Sequence, residues 1–165
     1  MCIILRVNQV FQISPEFPRI ATNASCRDNE GCTPLHLAAQ GVAKHEFFEV
    51  CKLLFEGLNN NNPSDNKGRT PLHHAAKHGN LEVCKFLIGE SDYVNSRDFK
   101  GWTPLHCAAQ NGHEEICNLI ASKALDKNPT GFDGKTPDFL MRRFRHFSED
   151  YESLSPVMPR RFIWR

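Results

Sequence analysis

At 165 residues the chain is long enough for one domain with its own core. Its net charge of +1 gives no global attraction toward nucleic acid or an anionic membrane. No apolar run approaches the roughly 20 residues of a membrane span.

Residues 1–27 come first. Met1 to Arg6 is too short, and too soon charged, for a signal peptide. Pro15 and Pro18 would break a helix crossing the stretch. This segment is expected to be an irregular N-terminal arm or a degenerate cap.

From Asp28 a motif begins that recurs. The first copy reads Asp28-Asn-Glu-Gly-Cys-Thr-Pro-Leu-His-Leu-Ala-Ala39. The second runs from Asp65 to Ala76 and the third from Asp98 to Ala109, each repeating Thr-Pro-Leu-His. A fourth copy keeps only Thr136-Pro137. Asp followed by Gly three residues later suits a tight turn. Thr33, Thr70 and Thr103 stand where a helix N-cap is needed, and Pro34, Pro71 and Pro104 follow at the first helical position, where a missing N–H costs nothing. The Ala pairs that close each copy let a second helix approach closely. Gly79 and Gly112 can end the first helix in a left-handed cap, whereas Gly41 comes one residue early.

A second helix follows in each unit. Val83, Cys84 and Leu87, and likewise Ile116, Cys117 and Ile120, place apolar residues on one face, with Glu82 and Lys85 on the other. Each helix is too short to be stable alone in water, so stability must come from stacking.

This pattern resembles the ankyrin repeat, with its 33-residue period and T-P-L-H-x-A signature, over roughly Asp28 to Phe139. The resemblance implies an all-α ankyrin-repeat solenoid of helix-turn-helix units joined by β-hairpin loops. The expected domain spans 28–147, with repeats at about 28–64, 65–97 and 98–130, a capping half-repeat at 131–147, and a flexible, poorly ordered tail at 148–165. Two departures stand out. Four extra residues lie within Gly41 to Phe48, about one helical turn, which would lengthen the start of the outer helix and leave Phe47 and Phe48 to cap or widen that edge. In the fourth copy Gly131 replaces Asp, Asp138-Phe139 replaces Leu-His, and Arg142-Arg143 follow, as a polar-faced cap would have.

Seven cysteines and eight histidines invite metal and nucleophile readings. Cys51, Cys84 and Cys117 recur at one register position, as small buried hydrophobes do. The odd count, with no signal segment, points to a reducing intracellular compartment, the cytoplasm or the nucleus. His73, His74, His78 and Cys84 share one repeat, and His106, Cys107, His113 and Cys117 the next, but no closely spaced Cys-x-x-Cys pair supplies the usual zinc spacing. The resemblance implies that His36, His73 and His106 are scaffold, bonded to the Thr hydroxyl and loop backbone. Neither a metal, a cofactor nor a catalytic residue is expected. The pairing of His113 with Cys117 fails as a nucleophile because Cys117 points into the core by register.

The resemblance also implies a concave partner surface made of hairpin tips and inner-helix ends. In this chain those positions are Asn66, Lys67, Arg69, Lys77 and His78 in the second repeat and Phe99, Lys100, Trp102, Gln110 and Asn111 in the third. Asn29, Glu30, Cys32 and Gln40 extend the surface on one side, and Phe132, Asp133 and Lys135 on the other. Phe99 and Trp102 are read as apolar anchors, with Trp102 alternatively stacking across neighbouring hairpins. The cations Lys67, Arg69 and Lys77 favour an acidic partner segment. Asn95, in the loop Asp92-Tyr-Val-Asn95, resembles the ankyrin-loop asparagine that intracellular asparaginyl hydroxylases modify. The basic-aromatic stretches Arg142 to His146 and Arg160 to Arg165 read as frayed tail or docking peptide. The expected function is non-catalytic binding of a partner protein by a monomeric adaptor or scaffold. The alternatives are an inhibitor sequestering a Rel-type transcription factor, or the regulatory or targeting part of a larger enzyme or channel.

Overall fold

The structure, a computed structural model, describes residues 26–41, 45–56, 62–90 and 94–154. These hold seven helices and no strand: α1 (Pro34–Gln40), α2 (His45–Glu56), α3 (Pro71–His78), α4 (Leu81–Glu90), α5 (Pro104–Gln110), α6 (Glu114–Lys123) and α7 (Pro137–Leu154).

The helices form two layers. The inner helices α1, α3, α5 and α7 pack side by side in chain order, the outer helices α2, α4 and α6 do the same, and each of the first three inner helices packs on its own outer helix. The signature explains why. Pro opens α1, α3, α5 and α7, and the Ala pairs of the first three are wholly buried, so nothing holds neighbouring backbones apart. Leu35, Leu72 and Leu105 fill the seam between layers, with Cys51 and Cys84 at equivalent buried places on the outer helices. Burial pushes both thiols up to about 12, as expected of cysteines that serve as small hydrophobes.

The two departures have visible outcomes. Relative to Cys51, α2 begins about one turn earlier than α4 and α6 begin relative to Cys84 and Cys117, as an inserted turn requires. Phe48 then meets Phe86 edge-on at 5.8 Å, and Phe55 meets the same ring at 5.3 Å. Residues 42–44 and the side chain of Phe47 lie outside the described residues. At the other end α7 runs on to Leu154, past the boundary expected at 147. Residues 148–154 contain no Gly or Pro to stop it; the next breaker is Pro156. Residues 155–165 and 1–25 lie outside the described residues.

The glycines behave as the cap pattern requires. Gly79 is left-handed at φ 77° and Gly112 at φ 73°, whereas Gly41, with φ −52°, is not.

Candidate functional site

The hairpin tips are built from one repeated turn. The carboxylate Oδ1 of Asp65 accepts the N–H groups of Lys67 (2.8 Å) and Arg69 (2.9 Å); Asp98 does the same for Lys100 and Trp102, and Asp28 for Glu30 and Cys32. Successive tips are then joined backbone to backbone. Asn66 N–H donates to the Glu30 carbonyl (2.9 Å), Phe99 N–H to that of Lys67 (3.0 Å) and Phe132 N–H to that of Lys100 (2.9 Å). The tips therefore form a ladder bonded backbone to backbone from each turn to the next, with Asn66, Lys67, Phe99 and Lys100 exposed on it.

The signature histidines lock each repeat to the next. Thr70 N–H donates to His73 Nδ1 at 3.1 Å, which fixes the proton on Nε2, and Nε2–H donates to the Trp102 carbonyl at 3.1 Å. The Thr70 hydroxyl lies 2.9 Å from the same Nδ1. His36 reaches the Arg69 carbonyl and His106 that of Lys135 in the same way. Burial lowers the pKa of all three, that of His73 to about 4. Every such imidazole is neutral scaffold at pH 7, as the resemblance implied.

A family model described as ankyrin repeats, in three copies, matches residues 40–131, more than half of the chain. The chain belongs to the ankyrin-repeat family. Ankyrin repeats are generally protein–protein interaction modules and typically non-catalytic. No curated protein matches the sequence.

Within this ankyrin array the predicted surface residues separate into two groups. Asn66, Lys67, Phe99 and Lys100 are exposed on the tips, with the Phe99 ring lying over Gly68. Lys77, His78, Gln110 and Asn111 sit at the ends of α3 and α5. Lys77, His78 and Gln110 are exposed, while His78 bonds the His74 carbonyl and half-buried Asn111 that of Cys107.

The second group is spent inside the fold. The Arg69 guanidinium grips Asp65 Oδ2 through Nη2 (2.7 Å) and Nε (2.8 Å), leaving its side chain 16% exposed. Trp102 is half-buried: its ring stacks on His106 at 5.7 Å, its Nε1–H donates to Asp133, and the Lys135 ammonium lies over it at 5.9 Å. Cys32 is fully buried and Gln40 is bonded to His74. Asn95 is half-buried in the loop after α4, with no hydrogen bond among the described residues.

One feature of this region escaped the sequence reading. His74, whose counterparts are Leu37 and Cys107, is buried between repeats. It bonds Gln40 at 2.8 Å through Nδ1 and Asp65 Oδ2 at 3.0 Å through Nε2, while Arg69 holds the same oxygen. Burial pulls the His74 pKa down to about 4. Burial also works against the Asp65 charge, but the bonds from Arg69 and His74 override it and keep the carboxyl ionised well below its usual range. Cys32 lies beside them, its thiol pushed up to about 11 by burial and by Asp28. Among the described residues, Cys32, Asp65 and His74 form the one group spaced for a metal ion, not the sets His73, His74, His78, Cys84 or His106, Cys107, His113, Cys117. Its chemistry fits a cation poorly. The thiol is protonated at neutral pH, both Asp65 oxygens already accept hydrogen bonds, and a guanidinium abuts the carboxylate. The signal in the sequence was a lone polar residue at a core register position, which demands a partner.

No helix among the described residues is long and apolar enough to cross a membrane.

Proposed function

We propose that the chain is an adaptor-type recognition module that grips an acidic segment of a partner protein along its hairpin tips and inner-helix ends. The observation that carries this reading is the tip ladder: each turn is bonded backbone to backbone to the next, so Lys67, Phe99 and Lys100 stand out on a preorganised edge. Phe99, 74% exposed, is the apolar anchor. Lys67, Lys77 and Lys100 supply the charge. Arg69 contributes by stiffening the second turn through Asp65, and Trp102 by bracing the third tip against the fourth, so both act from inside the fold.

Crosslinking with mass spectrometry on the full chain tests this. Partners held by the wild type and released by Phe99→Ala combined with Lys67→Glu and Lys100→Glu, at an unchanged melting temperature, support the reading. Crosslinks that cluster on the outer helices α2, α4 and α6 and survive those substitutions reject it.

A further inference from the structure

The C-terminal end of the stack keeps the register of an internal repeat boundary but leaves it open. At each internal boundary the carbonyl of Glu30, Lys67 or Lys100 accepts an N–H from the next tip. The fourth equivalent, the Asp133 carbonyl, has no donor among the described residues. Gly31, Gly68 and Gly101 are buried under the side chains of Asn66, Phe99 and Phe132, whereas Gly134, in the same left-handed conformation, is exposed with nothing over it. Phe139 occupies the signature-histidine position, from which His36, His73 and His106 reach forward to the next repeat. Those three are buried, but Phe139 is 52% exposed.

Phe139, Arg142, Arg143 and His146 fall at i, i+3, i+4 and i+7, one face of α7. All are exposed, and neither arginine has an ion-pair partner among the described residues. Among the described residues the face thus offers one backbone acceptor, one vacant glycine site, one aromatic ring and two guanidinium groups without an ion pair. A repeat of the same kind, including a second copy of this chain, suits it badly, because Phe139 cannot make the imidazole-to-carbonyl bond that every internal boundary contains. The tail at 155–165 also suits it badly, since Arg160, Arg161 and Arg165 would meet Arg142 and Arg143.

We infer that this end face is a second docking surface, which takes an extended, acidic segment of a partner protein. One N–H of the segment bonds the Asp133 carbonyl, one side chain covers Gly134, an apolar side chain packs on Phe139, and carboxylates pair with Arg142 and Arg143. This inference stands apart from the tip surface.

Display selection on the full chain tests it. Short random peptides are selected on the wild type and counter-selected on a chain carrying Phe139→Ala, Arg142→Glu and Arg143→Glu, and the strongest is synthesised and titrated by fluorescence anisotropy. The expected peptide is rich in Asp and Glu around an apolar residue, and its binding weakens as salt rises. It binds Arg142→Glu/Arg143→Glu and Phe139→Ala chains about ten-fold or more weakly, at unchanged melting temperatures, while Lys67→Glu/Lys100→Glu leaves it unaffected. Peptides without acidic bias, indifference to the α7 substitutions, or equal loss with Lys67→Glu/Lys100→Glu would each overturn the proposal. So would self-association that Phe139→Ala abolishes, which makes a second copy the occupant, or tighter peptide binding after deletion of 155–165, which makes the tail the occupant.

Discussion

The boundary between the second and third repeats and the open face beyond α7 share one backbone plan but differ in three side-chain decisions. Inside, His73 bonds forward to Trp102, Phe99 covers Gly68, and Ala76 is wholly buried. At the end, Phe139 has no polar reach, Gly134 is bare, and Arg142, at the position of Ala76, is exposed. The difference teaches that stability and recognition are divided by position. Side chains that satisfy the backbone of the following repeat are scaffold, and the same positions with no repeat upon them become surface.

Several substitutions break or sharpen that contrast. The largest effect is expected from Leu72→Ala, which opens a cavity inside the stack and should cost about 2–5 kcal/mol in urea unfolding. Leu140→Ala, at the end, should cost less because one side of its site can relax, and equal losses would erase the distinction. His73→Phe copies the terminal residue into an internal boundary. It strands the Thr70 N–H and the Trp102 carbonyl, at about 1–3 kcal/mol for each buried group left unpaired. Unchanged stability would show that the forward bond is dispensable.

Acid should act on the same boundaries. His73 and His74 titrate near 4 in the fold against an ordinary 6.5, so the unfolded chain takes up protons first. Their stabilisation is complete above about pH 6.5 and is lost as pH falls toward 4, at up to about 1.4 kcal/mol per pH unit for each histidine. Thermal melts at pH 7 and 5 measure this, and a flat profile would contradict the neutral-imidazole assignment. The smallest expected effect is a difference. Gly68→Ala and Gly134→Ala both force a left-handed Ala, but only the first drives a Cβ into the Phe99 ring, with a built contact of 2.7 Å. Gly68→Ala should therefore be the more destabilising by about 0.5–1 kcal/mol, the strain of one displaced side chain.

Much of this was legible in the sequence because it is local. Thr before Pro, a turn Asp with Gly three residues on, and paired Ala announce their roles within a dozen residues, and the period puts the units in a stack. What stayed hidden depends on contacts between repeats. Gln40 and His74 lie 34 residues apart and meet only once the stack forms. Arg69 and Trp102 read as binding residues because Arg and Trp so often are, yet here Asp65, His106 and Asp133 claim them first. The span of α7 was missed for another reason: a basic-aromatic run resembles a frayed tail unless the lack of any breaker before Pro156 is weighed.

The forward-reaching histidines also give unravelling a direction. Peeling repeats from the N-terminal side uncovers backbone carbonyls, such as that of Arg69, which water solvates at any pH; the exception is His74, which loses Gln40 with the first repeat. Peeling from the C-terminal side uncovers imidazoles instead, first His106 and then His73. Each freed ring escapes the burial that lowers its pKa, and a proton that displaces the Thr N–H from its Nδ1 in acid must leave before the opened end can close. In acid the stack should fray as a ratchet from α7 backwards, with one further proton trap at the first boundary, where His74 is freed.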